Sequence, residues 1–178
     1  MKTAVFTPAT AGECYLMLGS VVCAIMLAGA QTDGLLAMVE ARCPPGSGPG
    51  PHTDPWRESF RVIEGEFEFM LESDGALRTV KAGPGDVVSI PAGVGHAFRA
   101  VSQQPARVLI LSVPAGLDRF FAEAGERVSG EAQPATQVAF DRARFEQATD
   151  RHGIRGFQPA SPVAGPRPSG EEARSGAS

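Results

Sequence analysis

Gly46-Ser-Gly-Pro-Gly-Pro-His52-Thr-Asp54-Pro-Trp56-Arg-Glu58-Ser-Phe60-Arg-Val62-Ile-Glu-Gly65 and, further on, Gly85-Asp-Val-Val-Ser-Ile-Pro91-Ala-Gly93-Val-Gly-His96-Ala-Phe98-Arg-Ala100 decide how this chain is read. Side chains alternate sides in extended backbone, so His52, Asp54 and Glu58 share a parity and are expected to aim at one interior point. A Pro/Gly turn then leads into a strand that brings a second imidazole, His96. Phe60 and Val62 share Glu58's side of their strand, and Phe98 shares that of His96. On the strand between, Phe67, Phe69 and Leu71 form one alternating face with Glu68 opposite. Each of these apolar residues fits plain core filling. Together, Phe60, Val62, Phe67, Phe69 and Phe98 imply an apolar cavity around a polar centre, the usual shape of a small-molecule site. Trp56, in the loop between the polar residues, is expected to cover the rim.

Outward from these stretches the chain is rich in short apolar runs bounded by Gly, Pro, Asp and Ser, the pattern of an all-β barrel or sandwich. Strands are expected at 14–19, 21–28, 34–43, 58–64, 66–72, 77–81, 86–90, 96–101 and 106–113. Gly65 and Ser73-Asp74-Gly75 are turn signals. After Pro114 the period changes: Leu117, Phe120, Phe121 and Ala124 follow i, i+3, i+4, i+7, which predicts an amphipathic helix ended by Gly125. A second helix is expected from Phe140 to about His152, and both helices are expected to lean on the outside of the strands. The domain plan is a lead-in over 1–13, a barrel over 14–113, a helical extension over 114–157 and a tail over 158–178. The tail's Pro, Gly, Ser and charged residues predict disorder.

At 178 residues the chain fits one domain with a tail. A formal net charge of −4 gives no long-range attraction for nucleic acid or anionic lipid, and no basic run interleaved with aromatics occurs. The three cysteines, Cys14, Cys23 and Cys43, form no CxxC pair and sit among apolar neighbours. They read as buried free thiols in a reducing compartment, hence a cytoplasmic protein. The uncharged stretch from Cys14 to Thr32 is short for a membrane span and is interrupted by Gly19, Ser20 and Gly29. Ala28-Gly-Ala30 resembles a signal-peptidase site behind a weakly basic start. The stretch reads better as two buried strands joined near Gly19-Ser20.

The two quoted segments resemble the paired motifs of the cupin superfamily. The first, G-x5-H-x-H-x3-E-x6-G, is matched at Gly46, His52, Glu58 and Gly65; the second, G-x5-P-x-G-x2-H-x3-N, at Gly85, Pro91, Gly93 and His96. Asp54 stands where the pattern has its second histidine, and Ala100 where it has asparagine. The resemblance spans roughly 14–113 and implies a jelly-roll-like β-barrel that holds a divalent metal. His52, Glu58 and His96 would form a two-His, one-carboxylate set of the kind used by non-haem Fe(II) oxygenases. Asp54 is either a fourth ligand or an acceptor that orients an imidazole. Fe(II) is the first expectation, with Mn(II), Ni(II) and Zn(II) open.

Softer features, including Pro-Ala-Gly-Leu and Phe-Phe after the barrel, are similar to small bacterial quercetin-dioxygenase-like cupins. They imply an oxygenase acting with O2 on an aromatic, enolic or polyketide-like small molecule, with Glu58 and Asp54 as catalytic carboxylates. Two alternatives stay open: an isomerase, cyclase or lyase working without O2, and a non-catalytic binding barrel. His52-x-Asp54 with His96 also resembles the HxD…H set of 2-oxoglutarate oxygenases, with Arg107 placed for a co-substrate carboxylate. Cupins commonly dimerise, so a homodimer is expected.

Overall fold

A computed structural model describes residues 4–8, 12–73, 76–130 and 139–156. The tail over 158–178 and the Asp74-Gly75 turn lie outside the described residues, as do residues 1–3 and 9–11 of the lead-in. The expected strands are found as β1 (Glu13–Met17), β2 (Val21–Leu27), β3 (Ala37–Cys43), β5 (Arg57–Glu64), β6 (Phe67–Ser73), β7 (Ala76–Ala82), β8 (Val87–Ile90), β9 (His96–Ala100) and β10 (Ala106–Val113). A two-residue strand, β4 (His52–Thr53), precedes β5. Two helices follow the barrel strands, α1 (Leu117–Ala124) and α2 (Arg142–His152).

All pairings are antiparallel. One sheet runs β11-β1-β2-β3-β10-β5-β8 and the other β12-β4-β9-β6-β7, where β11 is Glu126–Val128 and β12 is Arg155–Gly156. These two short strands lie in the stretch expected to be helical extension alone. β11 pairs with β1, and β12 pairs with β4, so the C-terminal segment joins an edge of each sheet. The sheets meet through a shared core in which Phe60 packs against Phe69 and Phe98, with ring centroids 5.2 and 5.3 Å apart. Edge-on aromatic pairs at such distances add to simple area burial.

Local chemistry explains the element ends. The β1–β2 turn runs through Leu18 and Gly19, both at positive φ, where the sequence signals a strand join. α1 buries Leu117, Phe120, Phe121 and Ala124 and stops at Gly125. Its Asp118 carboxylate accepts the Gly29 backbone N–H at 2.8 Å, tying the helix to a 3-10 turn over Gly29–Gln31. α2 begins two residues later than expected because Asp141 is its N-cap, accepting the Arg144 N–H at 3.0 Å. It ends at Gly153 in the left-handed conformation.

All three cysteines are buried. Among the described residues no helix is long and apolar enough to cross a membrane.

Candidate metal centre

His52 on β4 lies directly opposite His96 on β9, and the two imidazole centroids are 4.3 Å apart. Residues opposite one another across an antiparallel pair bring their side chains close, which is why the two motifs meet here. Asp54 follows in the bend between β4 and β5. Its backbone carbonyl accepts the Gly93 N–H at 2.8 Å, so the Pro91-Ala92-Gly93 turn clamps the first motif to the second. Gly93 has φ +77°, a region L side chains avoid, which accounts for glycine at that motif position. Glu58 reaches the same place from β5 of the other sheet. The site therefore sits where the two sheets converge.

The polar atoms point inward together. Asp54 Oδ2 lies 3.3 Å from His52 Nε2 and 3.3 Å from His96 Nε2. Glu58 Oε2 is 3.6 Å from His96 Nε2. Asp54, Glu58 and His96 are 4%, 4% and 1% exposed. Ring nitrogens on the far side are held by backbone carbonyls: His52 Nδ1 by Gly50 at 2.8 Å and His96 Nδ1 by Val94 at 3.0 Å. A carbonyl can only accept, so each Nδ1 carries a proton, and in the neutral form each ring offers its Nε2 lone pair to the centre. Burial alone would lower the pKa of His52, but the Asp54 carboxylate, the Gly50 carbonyl and Glu58 outweigh it and hold it above its ordinary value.

His52, Asp54 and His96 offer one ligand atom each within 4.8 Å of one another. Asp54 Oδ2 and His96 Nε2 are buried without a hydrogen-bond partner. Two carboxylates taken out of water with only imidazoles as ion-pair partners are costly to bury, and a divalent cation at their meeting point would offset that. The donor set thus fits a divalent metal held by His52, Asp54 and His96, with Glu58 alongside. The Asp54 side chain does reach the centre, in the same cluster as both imidazoles. Arg107 does not: it lies on the outward parity of β10 and bonds Glu40, its Nε donating at 2.8 Å. Among the described residues the 2-oxoglutarate reading therefore has no Arg or Lys at the site.

A cavity of about 370 Å³ opens from this cluster. Its wall is almost wholly apolar and includes Phe98 and Ile110 from the strands and Phe120, Phe121, Phe145 and Ile154 from the C-terminal segment. Of the five residues expected to line the pocket, only Phe98 does so. Phe60, Val62, Phe67 and Phe69 are 0–2% exposed and fill the core between the sheets. Alternation gave their inward direction correctly, but not the depth at which the cavity stops.

Trp56 is also placed differently. It is buried rather than covering the rim, and its indole N–H donates to Glu58 Oε1 at 3.1 Å. Ala100, in place of the motif asparagine, is fully buried and pairs through its backbone with Gly46 and Ser47. The contribution of α1, α2 and β12 to the wall has no pattern of its own in the sequence. The Leu117, Phe120, Phe121 stripe is the nearest signal, and a stripe does not say where it docks.

Residues 39–113 match the cupin-domain family model, and the fold is that of the cupins. Solved structures with the same fold include KdgF from Halomonas sp., at 20% identity and TM-score 0.56, covering 65% of this chain and 99% of that one. The polyketide cyclase RemF from Streptomyces resistomycificus is 20% identical at TM-score 0.54, covering 81% of this chain and 92% of its own. A predicted oxalate decarboxylase from Thermotoga maritima is 18% identical at TM-score 0.54, covering 62% and 99%. No curated protein sequence matches the chain.

Proposed function

We propose that this protein is a metal-dependent oxygenase acting on an aromatic, enolic or polyketide-like small molecule, of the quercetin-dioxygenase-like kind. The observation that carries this reading is the convergence of Asp54 Oδ2 and two imidazole Nε2 atoms at the foot of an apolar cavity. A divalent metal there, Fe(II) first among the candidates, would act as Lewis acid toward a substrate oxygen and hold substrate and O2 together.

The chain's own groups supply the rest. His52, Asp54 and His96 hold the ion, their orientation fixed by Gly50, Val94 and Gly93. Glu58 Oε2 faces the same centre and accepts the enol or phenol proton. The ring wall from Phe98, Phe120 and Phe145 excludes water and packs against a planar apolar body. Among the described residues lining the cavity there is no Lys or Arg, so the second carboxylate of a small dicarboxylate, away from the metal, would find no side-chain counter-charge.

A second reading, isomerase, cyclase or lyase chemistry without O2, is favoured by one feature. Glu58 stands beside the three converging atoms with one oxygen turned to them, as a proton acceptor does. RemF, which shares the fold, is a polyketide cyclase.

Metal analysis of protein purified without chelator tests the core of the reading. The expected result is near-stoichiometric metal, followed by O2 uptake with phenolic or enolic compounds. Turnover without O2 uptake would move the assignment to the second reading. No metal, even after reconstitution, would sink both and leave a binding barrel.

A further inference from the structure

Trp56 is the only tryptophan of the chain, and nothing in the motif explains it. It sits two residues before Glu58 and is 5% exposed. Its N–H donates to Glu58 Oε1 at 3.1 Å, inside the protein. The other carboxylate oxygen, Oε2, is the one 3.6 Å from His96 Nε2. One oxygen of Glu58 is thereby occupied by a donor and the other left for the centre. An indole N–H donates only and cannot change roles, so this division of the carboxylate is one-way.

The indole stays in place because of Gly116, between β10 and α1. A Cβ at position 116 would lie 2.5 Å from Trp56 Cε3 and 2.6 Å from Cζ3, closer than packed carbons approach. The indole packs against bare backbone at Gly116, and the glycine here supplies space rather than an unusual dihedral. Gly116 also precedes Leu117, the first residue of α1, so the wedge links the helix that walls the cavity to the carboxylate at its foot.

We propose that Trp56 is a positioning residue for Glu58: its N–H holds Oε1 so that Glu58 presents a single oxygen to the metal centre, and Gly116 makes the room. This rests on the metal-centre reading above. A carboxylate restricted to one oxygen serves as a one-point ligand or as a base. Released, it is free to turn away from the centre. Partners of this kind around a metal site typically change affinity by about 10- to 100-fold when removed.

The test uses the full chain with Co(II) as the probe, read by visible absorption and by equilibrium titration. Trp56→Phe keeps a ring and removes the N–H. It is expected to bind Co(II) about 10- to 100-fold more weakly, with a changed visible band, while the melting temperature and far-ultraviolet dichroism report on the fold. Made in a Glu58→Ala background, the same substitution is expected to weaken Co(II) binding no further, because the two residues act through one another. Gly116→Ala, which keeps the N–H but displaces the ring, is expected to change the band in the same direction and serves if Trp56→Phe does not fold. Unchanged affinity and band in Trp56→Phe would overturn the proposal, as would losses that simply add in the double variant. Wild-type protein that binds no Co(II) would instead overturn the metal-centre reading and this inference with it.

Discussion

The foot of the cavity and its wall are built under different rules. Four polar side chains at the foot come from a stretch of seven residues plus one histidine, and they are fixed by strand parity, one cross-strand pair and one Pro-x-Gly turn. The wall is assembled from β1, β2, β3, β9, β10, α1, α2 and the residues up to Gly156, held by contacts between segments far apart in sequence. The comparison suggests that chemistry and selectivity are separable in this barrel. Under the proposed function, the foot would set what can be done to a substrate oxygen, and the wall would set which body carries it.

Substituting one residue in each region is the hardest test of that separation. His96→Ala removes a buried imidazole whose Nε2 faces Asp54 and Glu58 without a hydrogen-bond partner, and bound metal is expected to fall from near-stoichiometric to background by elemental analysis. Phe120→Ala is expected to leave metal content unchanged while costing about 3–5 kcal/mol of stability, measured by urea unfolding, because it opens a void beside Phe121, Phe145 and His152. A Phe120 variant that folds yet loses its metal would break the separation.

The same division governs what could be read from the sequence. Nine strands and both helices were legible because alternation and 3.6-residue periodicity are local properties, and His52, Asp54 and His96 because a motif at fixed spacing repeats one geometry. β4, β11 and β12 were missed. Each is two or three residues long and exists only because a neighbouring strand edge is there to receive it. Trp56 was misplaced for a related reason: its burial depends on Gly116, sixty positions later, and no pattern within either segment connects them. The four misassigned pocket residues show the limit of parity, which tells inside from outside but not core from cavity.

The thiols behind the wall offer a smaller, pH-dependent probe. Cys23 lines the cavity; burial first, then the neighbouring Cys43 and Cys14, push its pKa up. Burial pushes the Cys43 thiol up from its ordinary 9.0 to about 12. The folded state therefore keeps protons that the unfolded chain releases. This contribution to stability is full below pH 9.0 and is lost as the pH rises towards 12. Urea midpoints are expected to decline across that window, less steeply in Cys43→Ala, and native protein at pH 8 is expected to resist thiol reagents that label all three cysteines after unfolding. Rapid labelling of native protein would mean that the wall opens readily.

Ile154→Val makes the smallest change and sharpens the comparison most. Ile154 is 6% exposed, lines the cavity, and lies just ahead of β12, which pairs with the strand carrying His52. Losing one methylene is expected to cost about 0.5–1.5 kcal/mol. If the wall acts only on the substrate's body, metal affinity stays at the wild-type value while the ranking among phenolic and enolic compounds shifts towards bulkier rings, measured as kcat/KM for each. If metal affinity falls as well, the C-terminal segment also holds His52 in place through the β12–β4 pairing, and wall and foot are one unit rather than two.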